Sequence, residues 1–446
     1  MRRPGAYGRE PEASACTPGA PGAPARHPEA ATCAPGASAR KPGERRVVVT
    51  GMGAVSSLGI GVRPFVESIR AGRSGIGPAA EFDTAGFEHT RAGEVPDFAP
   101  GRLLRRTDPG RWGRSGQFAA AAARLAVQDA ALAPGALNLE RTAACFGTTN
   151  GESQVLERLV AQWVTDGLDA LSPRLIGQAD AGRIAAAVAA ELGLGGEVLT
   201  FGTACAAGNY AIGYAYDLIR GGAADAALCG GADASNRATH AGFHRLGALA
   251  EGEPRPFDAR RDGIVTAEGG AALLLEPLDA ALARGARIYA EVLGYGVTCD
   301  ARHMTNPDPS SIAACIRAAL ADAGVKPGDV GYICAHGTGT RANEAAEVSA
   351  VREVFADRVP PISSIKSMLG HTMGAASAFG AIVSCAALYE GFLPPSATLR
   401  EVDPELGPGL DCVPGRARAA RPGVVQNHGF AFGGNNAITL FGEVPQ

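Results

Sequence analysis

Short apolar runs alternate with alanine-rich helical stretches from residue 46 to the end, and this alternation confines the chain to the α/β class. Strands are expected at 47–50, 143–146, 197–201, 223–229, 270–276, 290–296, 331–335, 424–427 and 437–443, with helices at 65–71, 117–131, 181–192, 278–284, 312–323, 344–355 and 375–391. Several of the strands carry successive apolar residues rather than one at every second position. That pattern predicts strands covered on both faces and largely parallel. No direct sequence repeat accompanies it.

Residues 1–44 are different in kind. They are rich in Pro, Gly and Ala and hold almost no large apolar side chain, so they cannot offset their ordering entropy, and a disordered tail is expected. The tail lacks the apolar core of a secretion signal, and its acidic residues argue against organelle import. The whole chain of 446 residues is 46% apolar with a net charge of −4, the balance of a soluble globular protein with ample core. Without a basic excess, nucleic acid is not an expected partner. No apolar run is expected to reach bilayer-spanning length, so neither is a membrane. Ten cysteines are scattered with no close Cys-x-x-Cys pair, which points away from zinc and dithiol chemistry and toward a reducing cytoplasm.

One cysteine stands apart. In Val198-Leu-Thr-Phe-Gly-Thr-Ala-Cys-Ala-Ala-Gly-Asn, a strand-like run ends at a turn carrying Cys205, and a helical segment then runs to about Arg220. A sulfur at a helix N-terminus meets free N–H groups and the positive end of the helix dipole, which lower a thiol pKa and suit a nucleophile. A buried cysteine serving only as a small hydrophobe fits the run equally well. Two histidine motifs favour chemistry. His336 opens His-Gly-Thr-Gly-Thr after an apolar strand, and His371 closes Lys366-Ser-Met-Leu-Gly-His before a small-residue helix. Both lie at turns among glycines, where a substrate can approach the backbone.

These motifs, with Val47-Val-Val-Thr-Gly-Met-Gly-Ala-Val-Ser-Ser-Leu-Gly, Arg255-Pro-Phe-Asp-Ala-Arg-Arg-Asp-Gly, Asp300-Ala-Arg-His-Met-Thr and Phe430-Ala-Phe-Gly-Gly-Asn-Asn-Ala, give the chain its resemblance. It resembles the β-ketoacyl-acyl-carrier-protein synthases of the two-histidine type, from about Arg46 to the C-terminus. The resemblance implies the thiolase fold, two similar α/β halves making a five-layer α-β-α-β-α core. The halves would span 45–288, with Cys205, and 289–446, with both histidines.

The resemblance also implies roles. Cys205 would carry the acyl group, with the N–H groups of Cys205 and Phe432 as its oxyanion hole. His336 and His371 would donate to the enolate left when a malonyl-type extender loses CO₂. Lys366 would hold charge and geometry, with Glu347 as its acidic pair. Phe432 would gate the site, and Thr338 and Thr340 would bind the pantetheine arm. No metal or resident cofactor is implied, since phosphopantetheine arrives on the acyl carrier protein. Carrier docking falls to Arg102, Arg105 and Arg106, in the densest basic run, which continues with Arg111 and Arg114; Arg245 is a second candidate. A homodimer, or a heterodimer with a chain-length subunit, is implied, with strand 197–201 pairing across the two-fold axis.

Some positions depart from the family pattern. Glu344 stands for a common Asp, Asn343 for a common Gly, Gly380 for a frequent Glu, and Ala431 for a Gly beside the gate, while Asn435-Asn436 replaces a more usual ending. These tilt the reading toward polyketide or other natural-product synthesis rather than fatty-acid synthesis. A non-decarboxylating acyltransferase of the same fold is the other alternative. A chain-length subunit would lack Cys205. A thiolase would carry a second cysteine in the C-terminal glycine-rich motif, and there is none.

Overall fold

The computed structural model describes residues 44–133, 135–356 and 358–444. The expected tail, with Cys16 and Cys33, lies outside them apart from Glu44. Ten strands form the frame: β1 Val47–Ser56, β2 Thr142–Gly147, β3 Val198–Phe201, β4 Ala226–Asp233, β5 Gly269–Pro277, β6 Ala290–Cys299, β7 Tyr332–Cys334, β8 Ile362–Ser363, β9 Val424–Phe430 and β10 Asn435–Gly442. Their hydrogen-bonded order is β8-β7-β9-β10-β6-β1-β5-β4-β2-β3.

This order contains a duplication that the sequence does not display. Strands β1–β5 lie as third, second, fourth, fifth, first, and β6–β10 repeat that order. In both halves the pairings run parallel, parallel, antiparallel, antiparallel. The halves join edge to edge where Val47, Val48 and Val49 pair with Val292, Glu291 and Ala290. The expectation of largely parallel strands is therefore corrected. Strands here are covered on both faces whatever their direction, so β5 and β10 read as apolar as their parallel neighbours.

Eight helices matter for the site: α1 Arg114–Asp129, α2 Ser153–Asp166, α3 Arg183–Leu192, α4 Ala207–Arg220, α5 Arg237–Arg245, α6 Pro309–Ala323, α7 Arg341–Phe355 and α8 Ala376–Glu390. Helix α1 covers the first half with α3 against it, and α6 covers the second with α7 against it. Helices α4 and α8 pack together between the halves. Helix α4 touches β2 and β4 on one side and β10 and β6 on the other, while α8 touches β9 and β5. The result is the five-layer α-β-α-β-α sandwich of the thiolase fold.

Nearly every residue of α8 is buried, as its central layer requires. With its preceding turn, Met373–Glu390 is long and apolar enough by composition to cross a membrane, contrary to the expectation that no run would be. It is a core helix, enclosed by both halves. Strand β1 runs to Ser56, well past the expected end at residue 50. Gly51 and Gly53 resemble turn signals, but a Cβ there would sit 2.2 Å from the Ala126 carbonyl oxygen and 2.0 Å from that of Ala122. They let α1 press onto the sheet. Helices α2 and α5 were not expected.

Candidate active site

Cys205 lies where β3 ends, in a single tight turn, Ala204–Ala206, that leads into α4. The matching place in the second half is the turn Met373–Ala375, leading into α8. Ala204 has φ 49° and Met373 φ 50°, left-handed values that cost a non-glycine residue about 1–3 kcal/mol. Packing of α4 against α8 holds both turns in place. Gly147, ending β2, admits the start of α4: a Cβ there would stand 2.3 Å from the Ala207 carbonyl carbon.

One cleft, with about 640 Å³ of open space including its mouth, is lined by Cys205, His336, His371, Thr338, Thr340 and Phe432. The imidazole centroids of His336 and His371 are 5.6 Å apart and nearly perpendicular, at 81°. The backbone N–H groups of Cys205 and Phe432 act on the Cys205 sulfur in the sense that favours its ionised form. The Phe432 ring is 37% exposed at the mouth and stacks 5.5 Å from Phe243 of α5. The Thr338 and Thr340 hydroxyls are 3.0 Å apart, and that of Thr340 also accepts from the Asn343 N–H to cap α7.

The charge states differ from expectation at the sulfur. Burial pushes the Cys205 thiol up to about 12, aided by Asp233 and opposed by Lys366 and the two N–H groups. The helix N-terminus does not outweigh removal from water, so the resting group is the neutral thiol. Burial, reinforced by Lys366, holds both His336 and His371 well below the usual histidine range. The Nδ1 of His371 accepts the Met373 N–H at 3.0 Å. A neutral ring accepting at Nδ1 carries its proton on Nε2, so His371 is a hydrogen-bond donor.

Lys366 and Glu347 lie behind the cleft, and they do not form the expected ion pair. Lys366 Nζ donates to the His336 carbonyl oxygen. Glu347 accepts the N–H groups of His336 at 2.8 Å and Gly337 at 2.9 Å, and its ring partner is His428 at 3.0 Å. Residue 336 is thus gripped from both sides of its peptide. Sequence reasoning missed His428. Its signal was a run of polar residues, Gln426, Asn427 and His428, in the strand before Phe432.

The departures find physical reasons. A Cβ on Gly380 would lie 2.2 Å from Asn427 Oδ1, so a glutamate there would require the Asn427 side chain to move. Asn427 instead donates to Asn209 Oδ1 and to the Ser377 carbonyl, both at 2.8 Å, in a neutral network joining β9, α4 and α8. Glu344 is fully buried, accepts the Gly339 N–H and stands 4.0 Å from Arg261; burial raises its carboxyl to about 7. Nothing in the structure explains Ala431.

The basic run lies away from the cleft. Arg102, Arg105 and Arg106 are exposed, and the backbone N–H groups of the last two are anchored on buried Glu191 at 2.8 and 3.0 Å. Arg114 is taken up by Glu268 at 2.6 Å and Glu81 at 2.9 Å, so it drops out of a docking patch. Arg245 is exposed at the end of α5, two residues from cleft-lining Phe243.

A cysteine at a strained turn and two neutral imidazoles line one cleft, an arrangement suited to acyl transfer through a thioester. Residues 44–281 match the β-ketoacyl synthase N-terminal domain and residues 289–400 its C-terminal domain. The chain belongs to the β-ketoacyl synthase family, as a condensing acyltransferase of the ketosynthase type. It is 39% identical over 409 residues to 3-oxoacyl-[acyl-carrier-protein] synthase 2 of Synechocystis sp., covering 89% of this chain and 98% of that one. It is 38% identical over 410 residues to the tetracenomycin polyketide synthase ketoacyl synthase alpha subunit of Streptomyces glaucescens, covering 88% and 95%. Among solved structures, the ishigamide ketosynthase/chain length factor matches with TM-score 0.88 and 49% identity over 90% of this chain and all of that one.

Proposed function

We propose that the protein condenses an acyl group held on Cys205 with a malonyl-type extender on acyl carrier protein, in polyketide or other natural-product synthesis. The observation that carries this is His371, fixed as an Nε2–H donor in the same cleft as the sulfur and its two amide donors. Cys205 attacks the incoming thioester, the amides of Cys205 and Phe432 stabilise the tetrahedral oxyanion, and the thiol proton leaves on the departing pantetheine thiol. The extender then loses CO₂. His336 and His371 donate to its thioester oxygen while the electron pair from the broken C–C bond resides in the enolate. That carbon attacks the acyl carbonyl, and expelled Cys205 regains a proton from solvent. Thr338 and Thr340 border the pantetheine path. Comparing CO₂ release with acyl transfer tests this reading against a non-decarboxylating acyltransferase.

The polyketide assignment draws on likeness to the ishigamide ketosynthase/chain length factor and on the Gly380–Asn427 arrangement. A partner chain is supported by an open edge at β3, where Leu199 is exposed, and by α2, which presents Leu156, Val160, Trp163 and Val164 to solvent. We assign that face to a second ketosynthase-type chain, a chain-length subunit. Light scattering on the full chain, alone and co-expressed with such a subunit, should show a stable dimer; a monomer in both cases rejects the assignment. The eight described cysteines are all free, which suits a reducing cytoplasm.

An acidic carrier protein must find local positive charge on a chain of net charge −4. Arg102, Arg105, Arg106 and Arg245 supply it. Reversing Arg105 and Arg106 to Glu, or Arg245 to Glu, should raise KM for carrier-bound substrate several-fold and leave small thioester mimics unaffected. Equal loss with the mimics, or none with the carrier, rejects the surface.

A further inference from the structure

The strand that leads to the gate also carries a buried side chain that the reaction does not require. His428 is 2% exposed, and β9 pairs with β7 in a register that sets Asn427 against Cys334, placing His428 beside the turn that begins at His336. Its Nδ1 faces Glu347 Oε1 at 3.0 Å, and its Nε2 faces Gln426 Oε1 at 3.1 Å. The same Glu347 carboxylate accepts the N–H groups of His336 and Gly337, and Asn343 Nδ2 at 3.3 Å. Phe430 fills the space between the two imidazoles, 5.2 Å from His428 and 5.8 Å from His336.

Taking the decarboxylative reading above as its basis, we propose that His428 is a positioning residue for His336, acting through Glu347. The carboxylate fixes the peptide from which the His336 ring projects. His428 keeps that carboxylate oriented and ionised while it is fully enclosed. A buried carboxylate without such a partner takes up a proton and turns from acceptor to donor, and the two N–H groups it grips lose their anchor.

The charges around Glu347 support this. Burial raises its carboxyl, but the hydrogen bond and charge of His428, with the Gly337 and His336 amides, hold it below the usual carboxylate range. The other groups facing it are Lys366 on the Lys366–Leu369 helix, Glu344 on its own helix, Cys334 of β7, and Cys412. Lys366 is the cation among these, and its hydrogen bond goes to the His336 carbonyl. His428 is therefore the ring that contacts Glu347 directly, at 3.0 Å.

Two near-isosteric amides test this in the full-length protein. In His428→Asn the amide nitrogen takes the place of Nδ1 and can still donate to Glu347. In His428→Gln it takes the place of Nε2 and reaches toward Gln426. They differ by one methylene and share their polarity, so any folding cost common to both cancels in the comparison. CO₂ release from malonyl-carrier substrate should be about ten- to hundredfold lower in the Gln variant than in the Asn variant, the scale of one lost charge-assisted hydrogen bond. Its acidic limb should move to higher pH, because Glu347 then protonates more easily. Acylation of Cys205, read by intact mass, should stay within a few-fold of wild type in both. Equal rates in the two variants overturn the proposal. So does a Gln-variant loss that is the same at every pH and equal in acylation and decarboxylation, which marks a merely structural role. Failure of the decarboxylative reading itself appears earlier, as absent CO₂ release in the wild type.

Discussion

Cys205→Ala forms no acyl-enzyme. Intact-mass measurement after incubation with an acyl donor should show the unmodified chain, where wild type gains one acyl group. The loss is complete rather than partial because the function rests on one atom. Cys205 is the cysteine lining the cleft, and the amides of residues 205 and 432 favour its ionised form. The remaining described cysteines that are buried sit in the core, where burial pushes Cys145 and Cys315 up to about 12 and Cys229 well above the usual thiol value. The substitution removes one sulfur from a packed site and should cost about 1 kcal/mol of stability, so the variant remains folded. A persistent adduct on the Ala variant would move the nucleophile elsewhere.

His336→Ala and His371→Ala should separate the two halves of the reaction. Each keeps Cys205 and its oxyanion donors, so each should still accept an acyl group. Each loses one enolate donor, and CO₂ release should fall by about 10²–10³. The pH dependence follows from direction alone. Burial and Lys366 hold both rings far below the usual histidine range. Both therefore remain neutral as pH falls through about 6.5, the ordinary histidine value, and wild-type decarboxylation should show no loss there from their protonation. Wild-type CO₂ release in either variant refutes the shared-donor arrangement.

The sequence carried the site's chemistry better than its electrostatics. Cys205, His336 and His371 each stand in a local motif of turn, glycine and small-residue helix, and local motifs survive reading along a single chain. The cleft brings all three together because α4 and α8 begin at matching turns of two duplicated halves. That duplication is written in strand order and pairing sense, which no local pattern reveals. The full length of β1 was hidden for a related reason: Gly51 and Gly53 serve the approach of α1, residues distant in sequence.

The thiol state of Cys205 and the partner of Glu347 were not legible because both depend on burial by remote elements. A helix N-terminus can be read from a strand–turn–helix pattern. The desolvation that outweighs it requires knowing that β9, α8 and the Phe432 loop close over the sulfur. Likewise Glu347 meets His428 because β9 lies next to β7, a neighbour relation set by the fold. The Gly380 departure gained its meaning the same way, from Asn427 filling the space across the layer.

The most direct test of the account follows both products of one reaction. Purified full-length protein, with its chain-length partner if the dimer requires one, is given acyl-carrier and isotopically labelled malonyl-carrier substrates, and CO₂ and carrier-bound product are measured together. The account predicts equal amounts of labelled CO₂ and a lengthened ketoacyl chain on the carrier, with acyl-Cys205 formed first and ketoacyl product lost in Cys205→Ala. Acyl transfer between carriers without CO₂ or ketoacyl product would contradict it and leave the protein a non-decarboxylating acyltransferase.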